Sequence, residues 1–311
     1  MTLRPFRFGV KLRQSESAAE WRSQVQAIEA LGYATIATPD HFGPQFAPLI
    51  AATAAALATT RLGIATSVLG NDFRHPVVLA KEALSLDLLS EGRFELGLGA
   101  GWMASDYDAL GIDMAPPGER IERLAEAIVI LKACFAGGPV HFEGRHYRVS
   151  GLESAPPPVR PGGPPLLIGG GGRRLLSLAA REANIVGINP TASVGTQTAE
   201  MDLDATAQAT ERKLGWIHEA AGDRLPDIEL CMQVFCVAVT ERQSEADHVL
   251  RQRYDMPLEQ ARTIPSAWTG SLAQIEDALV AHRERFGISY WIVPQDCSHA
   301  LAPLVARLTG R

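Results

Sequence analysis

Short apolar runs alternate with longer amphipathic stretches from the first residues onward. Residues 6–12, FRFGVKL, read as a strand, and residues 33–39, YATIATP, as a second. Between them Trp21, Val25, Ile28 and Leu31 recur at three- and four-residue spacing, the face of one helix. Ser17 and Glu20 mark its start as a capping-box pair, and Gly32 supplies its stop. An alanine-rich helix over about 48–59 leads to RLGIATSV (61–68), and a helix over about 76–89, ended by Gly92, leads to a fourth strand in FELGLGAGWM (94–103).

The next helix carries Ile121, Leu124, Ile128, Leu131 and Phe135 as one apolar stripe with charges opposite. Residues 137–163 break the rhythm with turn formers, a small hairpin around Glu143 and Gly144, and a proline-rich return. They read as an insertion into a single domain spanning 1–311. Alternation resumes with PPLLIGGGG (164–172), a helix over 173–183, the strand NIVGIN (184–189) and a helix over about 203–221. The strand ELCMQVFCVAV (229–239) follows, then a helix beginning near Ser244, a helix over 271–286 stopped by Gly287, and the strand SYWIVP (289–294).

Eight strand–helix units in a chain of this length predict a (β/α)8 TIM barrel, whose helix-covered strands read as short apolar runs. A doubly wound open sheet is the rival. It would place its dinucleotide glycines after the first strand, where this chain has Lys11, Leu12 and Arg13. The glycines of FELGLGAGWM do not rescue that rival, because Trp102 stands where GxGxxG needs its third glycine. As a barrel strand, Gly97 relieves crowding, and Gly99 and Gly101 allow close approach of the backbone.

With 311 residues, 46% hydrophobic and 21% charged, the chain can bury a large core. A formal net charge of −6 argues against nucleic acid as a partner. No apolar run approaches a membrane span, and the N-terminus lacks the long apolar region of a signal peptide, so a cytoplasmic, soluble protein without a membrane partner is expected. Four cysteines, Cys134, Cys231, Cys236 and Cys297, form no CxxC pair, so buried free thiols are expected and no metal site is read.

A barrel gathers its chemistry at the C-terminal ends of its strands. Here these are Thr38, Pro39, Asp40 and His41; Thr66, Ser67 and Val68; Gly99, Ala100, Gly101 and Trp102; and Gly169, Gly170, Gly171 and Gly172 with Arg173 and Arg174. The glycine run lies between a strand and a helix, where free backbone N–H groups and Arg173 suit a phosphate; alternatively it is a turn that lets the helix pack closely. His41 beside Asp40 reads as a proton-transfer pair, or as a loop tie. His75, before Pro76, reads as a helix-entry residue. Trp102 is either a stacking wall or a packed rim aromatic. The polar connections 189–202 and 254–271 read as pocket-shaping lids, with Asn189, Arg262 and Trp268 as candidates without assigned roles.

Taken together, FRHPVVLAKEALSLDLLSEGRFELGLGAGW (73–102), PDHF, ATSVLGNDFRHP, GERIERLAEAIVILK and LLIGGGGRRLLSLAAREANIV resemble the luciferase-like monooxygenase superfamily, and within it the F420-dependent oxidoreductases. The resemblance implies coenzyme F420, or alternatively FMN, as cofactor. It places Asp40 and His41 beside the ring, a non-prolyl cis peptide at Ser67–Val68 or one bond earlier, and Gly99, Ala100, Gly101 and Trp102 along the ring or tail. Gly169, Gly170, Gly171 and Gly172 with Arg173 would take the phosphate. It further implies hydride transfer between deazaflavin C5 and a small organic substrate with a C=C, C=N or C=O bond, a homodimer, and a flavin or F420 reductase as electron supplier. The alternative activity is an FMN-dependent monooxygenase using O2. Trp102 departs from the sugar-phosphate dehydrogenases, which carry a glutamate general acid at this position, so His41 becomes the expected proton donor, with Asp40 setting its charge. A non-catalytic barrel is the third reading.

Overall fold

The structure, a computed structural model, describes residues 3–191 and 198–311. Eight parallel strands carry the chain around a closed barrel: β1 (Arg7–Lys11), β2 (Thr35–Thr38), β3 (Gly63–Thr66), β4 (Phe94–Gly99), β5 (Leu166–Gly170), β6 (Ile185–Ile188), β7 (Glu229–Gln233) and β8 (Ile288–Pro294). Each pairs with its neighbours in sequence order, β3 with β4 and β1 with β8, which closes the ring. The fold is the (β/α)8 barrel that the alternation predicts. Its helices are α1 (Ala18–Ala30), α2 (Pro48–Ala58), α3 (Pro76–Leu89), α4 (Pro117–Ala136), α5 (Arg173–Glu182), α6 (Ala207–Ala221), α7 (Leu272–Phe286) and α8 (Ser298–Leu308).

Strand alternation decides which side chains fill the barrel. Phe8, Val10, Ile36, Ile64, Leu96, Leu98, Val186, Trp291 and Val293 join the main core under the helices. Ala37, Ala65, Leu167, Ile185, Cys231, Tyr290 and Ile292 form a second cluster inside the ring, packed with Val68. Beside this apolar interior, Arg7 reaches Glu95 at 2.6 Å and Glu229 at 2.7 Å, with its guanidinium 3.7 Å from the centre of the Tyr290 ring. Three strands thus share one ion cluster that no hydrophobic pattern announces.

Several local expectations shift. The Ser17 hydroxyl accepts the Glu20 N–H, but the Glu20 carboxylate reaches back to the Glu16 N–H, so the reciprocal half of the capping box falls one residue early. Ser271 and Gln274 form a complete box. The run 229–239 is not one strand. After Gln233 the chain leaves the barrel, and Cys236–Val239 pairs in parallel with Ala267–Gly270 outside it. The helix expected from about 203 begins at Ala207, where the Thr206 hydroxyl accepts the Ala209 N–H. A seven-residue helix, Ala104–Leu110, follows β4 where none was expected, and α8 closes the ring after β8. The hairpin Pro139–Glu143 with Arg148–Glu153 lies inside the 137–163 stretch. Among the described residues no helix is long and apolar enough to cross a membrane.

Candidate functional site

A cavity of about 840 Å³ opens at the C-terminal ends of the strands. Asp40, His41, Ser67, Val68, Gly99, Ala100, Gly101, Trp102 and Gly169 to Gly172 all line it. The strand-end rule therefore brings twelve of the thirteen candidate residues to one place. Arg173 is the exception: it begins α5, and its side chain turns to Glu219 of α6 at 3.0 Å, 63% exposed. Of the unassigned candidates, Asn189 lines the cavity. Arg262 pairs with Asp247 and Glu259, and Trp268 is core, with its indole N–H donated to the Pro265 carbonyl. Of the 189–202 connection, residues 192–197 lie outside the described residues.

Asp40 and His41 do not pair with each other. Asp40, buried at 5% exposure, takes a fork from Arg74 at 2.5 and 2.9 Å and the Gly70 N–H at 3.0 Å. It is a tie between the segments that follow β2 and β3. His41 Nδ1 lies 2.7 Å from Asp106 Oδ2, while Asp106 Oδ1 accepts the Phe42 N–H. A carboxylate there favours a proton on Nδ1 and leaves Nε2 to the cavity. Among the described residues, Nε2 has no partner. Trp102 stands edge-on to this imidazole, ring centres 5.9 Å apart at 90°. Asp106 was hidden because the short helix carrying it has no amphipathic period to read.

The Ser67–Val68 peptide is cis. The Ser67 hydroxyl accepts an N–H of the Gln233 amide at 2.8 Å, and the Gln233 carbonyl accepts from Lys11 Nζ, linking β3, β7 and β1 across the mouth. Among the described residues Lys11 holds no carboxylate; burial, then the Arg13 charge, push its ammonium down to about 8. Val68 drops its side chain among the glycines: a Cβ on Gly99 would sit 2.8 Å from Val68 Cγ2, and one on Gly169 3.2 Å from Cγ1. The missing Cβ of Gly99 therefore makes room for Val68 and not for a cofactor. At Gly101, φ is +77° and a Cβ would meet the Tyr107 hydroxyl at 2.1 Å.

The run after β5 has two jobs. A Cβ on Gly171 would lie 2.6 Å from the backbone of residues 189–191, and one on Gly170 would strike Leu175, so close packing explains these two. Gly172 caps α5, and among the described residues no side chain bonds its first-turn N–H groups. The cation nearest to this arrangement in role is one the sequence did not single out. Arg120 on α4, 3% exposed, lines the cavity and donates to the Gly101 carbonyl at 2.5 Å. It has no carboxylate partner among the described residues, and its Nε is buried without one. In GERIER it looks like one more charge on an exposed face, so only packing reveals it.

The sequence pattern of the luciferase-like monooxygenases matches residues 1–288. The chain belongs to this family. Relatives include an F420-dependent glucose-6-phosphate dehydrogenase of Microbacterium testaceum, 32% identical over 156 residues, 47% of this chain and 46% of that protein. Another is 4-hydroxyprotoasukamycin monooxygenase of Streptomyces nodosus subsp. asukaensis, 34% identical over 136 residues, 42% of this chain and 33% of that protein. The chain spans less than half the length of each of these relatives. The coenzyme F420 dependent tetrahydromethanopterin reductase from Methanopyrus kandleri has the same fold, with a TM-score of 0.77 over 98% of both chains at 17% identity.

Proposed function

We propose that this luciferase-like barrel is a coenzyme F420-dependent oxidoreductase acting on a small organic substrate. The observation that carries the reading is the convergence, in one cavity, of the His41–Asp106 pair, the Trp102 wall and a buried arginine without a carboxylate. The residues fit a flat, phosphate-bearing cofactor. Arg120, with its unpartnered Nε, and the N–H groups at the start of α5 beyond Gly172 would hold the phosphate. Val68 and Trp102 would bound the ring. When bound, the deazaflavin supplies hydride exchange at its C5.

The protein supplies position, dryness and a proton. Asp106 fixes the orientation of the His41 ring, so that His41 Nε2 can give a proton to substrate on the cavity side, or take one in the reverse direction. Asp40 holds the mouth together through Arg74 and the Gly70 N–H. Trp102 offers no proton donor useful at neutral pH, which speaks against sugar-phosphate chemistry of the kind its dehydrogenase relative's name describes.

The monooxygenase relative supports a second reading, FMN with O2 and a partner reductase. Titration of the protein with F420 and with FMN, followed by turnover with and without oxygen, separates them. Selective F420 binding with oxygen-independent turnover is the expected result. FMN binding with an oxygen requirement would replace it by the second reading, and binding of neither would leave only the family membership standing.

A further inference from the structure

The charges around the cavity do not balance locally. Each carboxylate on its wall already has a base: Asp40 has Arg74, Asp106 has His41, and Asp202 has Arg253 at 3.3 Å. Three cations on the wall lack any carboxylate among the described residues, namely Arg120, Lys11 and Arg13. They are not together. Arg120 bonds the loop after β4. Lys11 and Arg13 leave the end of β1, which the strand order sets four places from β5 in either direction, across the mouth from Gly169 to Gly172.

Two cationic poles at opposite ends of one pocket suit two anions. With the cofactor phosphate at Arg120 and the start of α5, the pole at β1 is left for the other occupant. We propose that Lys11 and Arg13 form a recognition site for a carboxylate on the substrate, with Gln233 holding the ammonium in place and Phe235 offering an apolar face beside it. The Phe235 ring centre lies 5.9 Å from Lys11 Nζ and lines the same wall. The inference rests on the reading of this cavity as a shared cofactor and substrate pocket.

Lys11 makes the discrimination strong. Its ammonium faces a neutral amide and a second cation, so an anion between Lys11 and Arg13 supplies what neither neighbour does. A neutral isostere would leave the half-buried Lys11 ammonium against a group that cannot pair it, the unpaired polar contact by which sites reject near-copies of their ligand, while Arg13, which is exposed, adds its charge from the rim. A planar unsaturated acid combines the required head group with the kind of C=C bond that a hydride donor reduces.

Cinnamate and cinnamamide, alike in shape and different in charge, are the probes. Their affinities are measured calorimetrically on the wild-type protein, on Lys11→Met, on Arg13→Met and on Lys11→Arg, with thermal melts verifying each fold. Cinnamate binding at least tenfold tighter than cinnamamide in the wild type, with the preference lost in both Met variants and kept in Lys11→Arg, is expected. Equal affinities, no cinnamate binding, or a preference that survives both Met substitutions overturns the proposal. Repetition in the presence of saturating F420 or FMN identifies the source of the anion: displacement of cinnamate by the cofactor assigns the pole to the cofactor tail and also overturns it. Because cinnamate binding is read without cofactor, a failure of either cofactor to bind is distinguishable from a failure of this site.

Discussion

Asp40 and His41 adjoin in the sequence, yet they answer to different partners, and this separates two effects that a substitution would otherwise confuse. Asp106→Asn removes the carboxylate that orients the His41 ring. Turnover should fall about 10²-fold with cofactor affinity unchanged, read as kcat against the cofactor dissociation constant. Asp40→Asn leaves Arg74 unpaired at the mouth; the expected loss is about 2–3 kcal/mol of stability in urea denaturation, moderated because Arg74 keeps some contact with solvent. A stability loss in Asp106→Asn with normal kcat would refute this division. Elsewhere, burial and then Arg285 hold the imidazole of His282 down to about 4, beside Phe286 and Trp291. Since the unfolded chain binds the proton first, its contribution is fully present above about pH 6.5 and is lost as pH falls toward 4. The unfolding free energy of wild type in urea should therefore drop more steeply than that of His282→Phe between pH 6.5 and 4, by no more than about 3 kcal/mol.

At the level of elements, β4 explains the glycine pattern of FELGLG. Its outward positions Phe94, Leu96 and Leu98 enter the core, while inward it carries Glu95, Gly97 and Gly99. A Cβ on Gly97 would lie 1.8 Å from the Thr66 carbonyl oxygen, a backbone atom that cannot step aside. Gly97→Ala should cost more than about 3 kcal/mol or prevent folding, and melting of the purified variant decides. The ion cluster below it gives a second case. Arg7→Met leaves Glu95 and Glu229 facing each other, an expected loss of about 3–5 kcal/mol, much of which should return when Glu95→Gln and Glu229→Gln are added. Equal stability of the single and triple variants would show that the cluster acts through packing. Hydrophobic periodicity made these strands readable because it records burial. It could not tell that 229–239 parts company with the barrel after Gln233, since both halves are equally apolar.

On the scale of the whole molecule, segments far apart in sequence pack beside the β1–β8 seam that closes the ring. Phe6 exchanges backbone bonds with Gly310 and Arg311, and α8 lays Leu301 and Leu304, both fully buried, against the ring. Leu304→Ala should destabilise by about 2–5 kcal/mol although it lies far from the cavity, with cofactor titration at low temperature unchanged. The sequence by itself determined the eightfold alternation, and through it the barrel and the rim where Asp40, His41, Trp102 and the glycine run would gather, because periodicity and strand ends are local properties. Partnership is not local. That Asp106 and not Asp40 holds His41, that Arg120 and not Arg173 is the buried cation, and that Lys11 and Arg13 lie across the mouth from the glycine run were decided only when the sheet closed and set residues distant in sequence around one cavity.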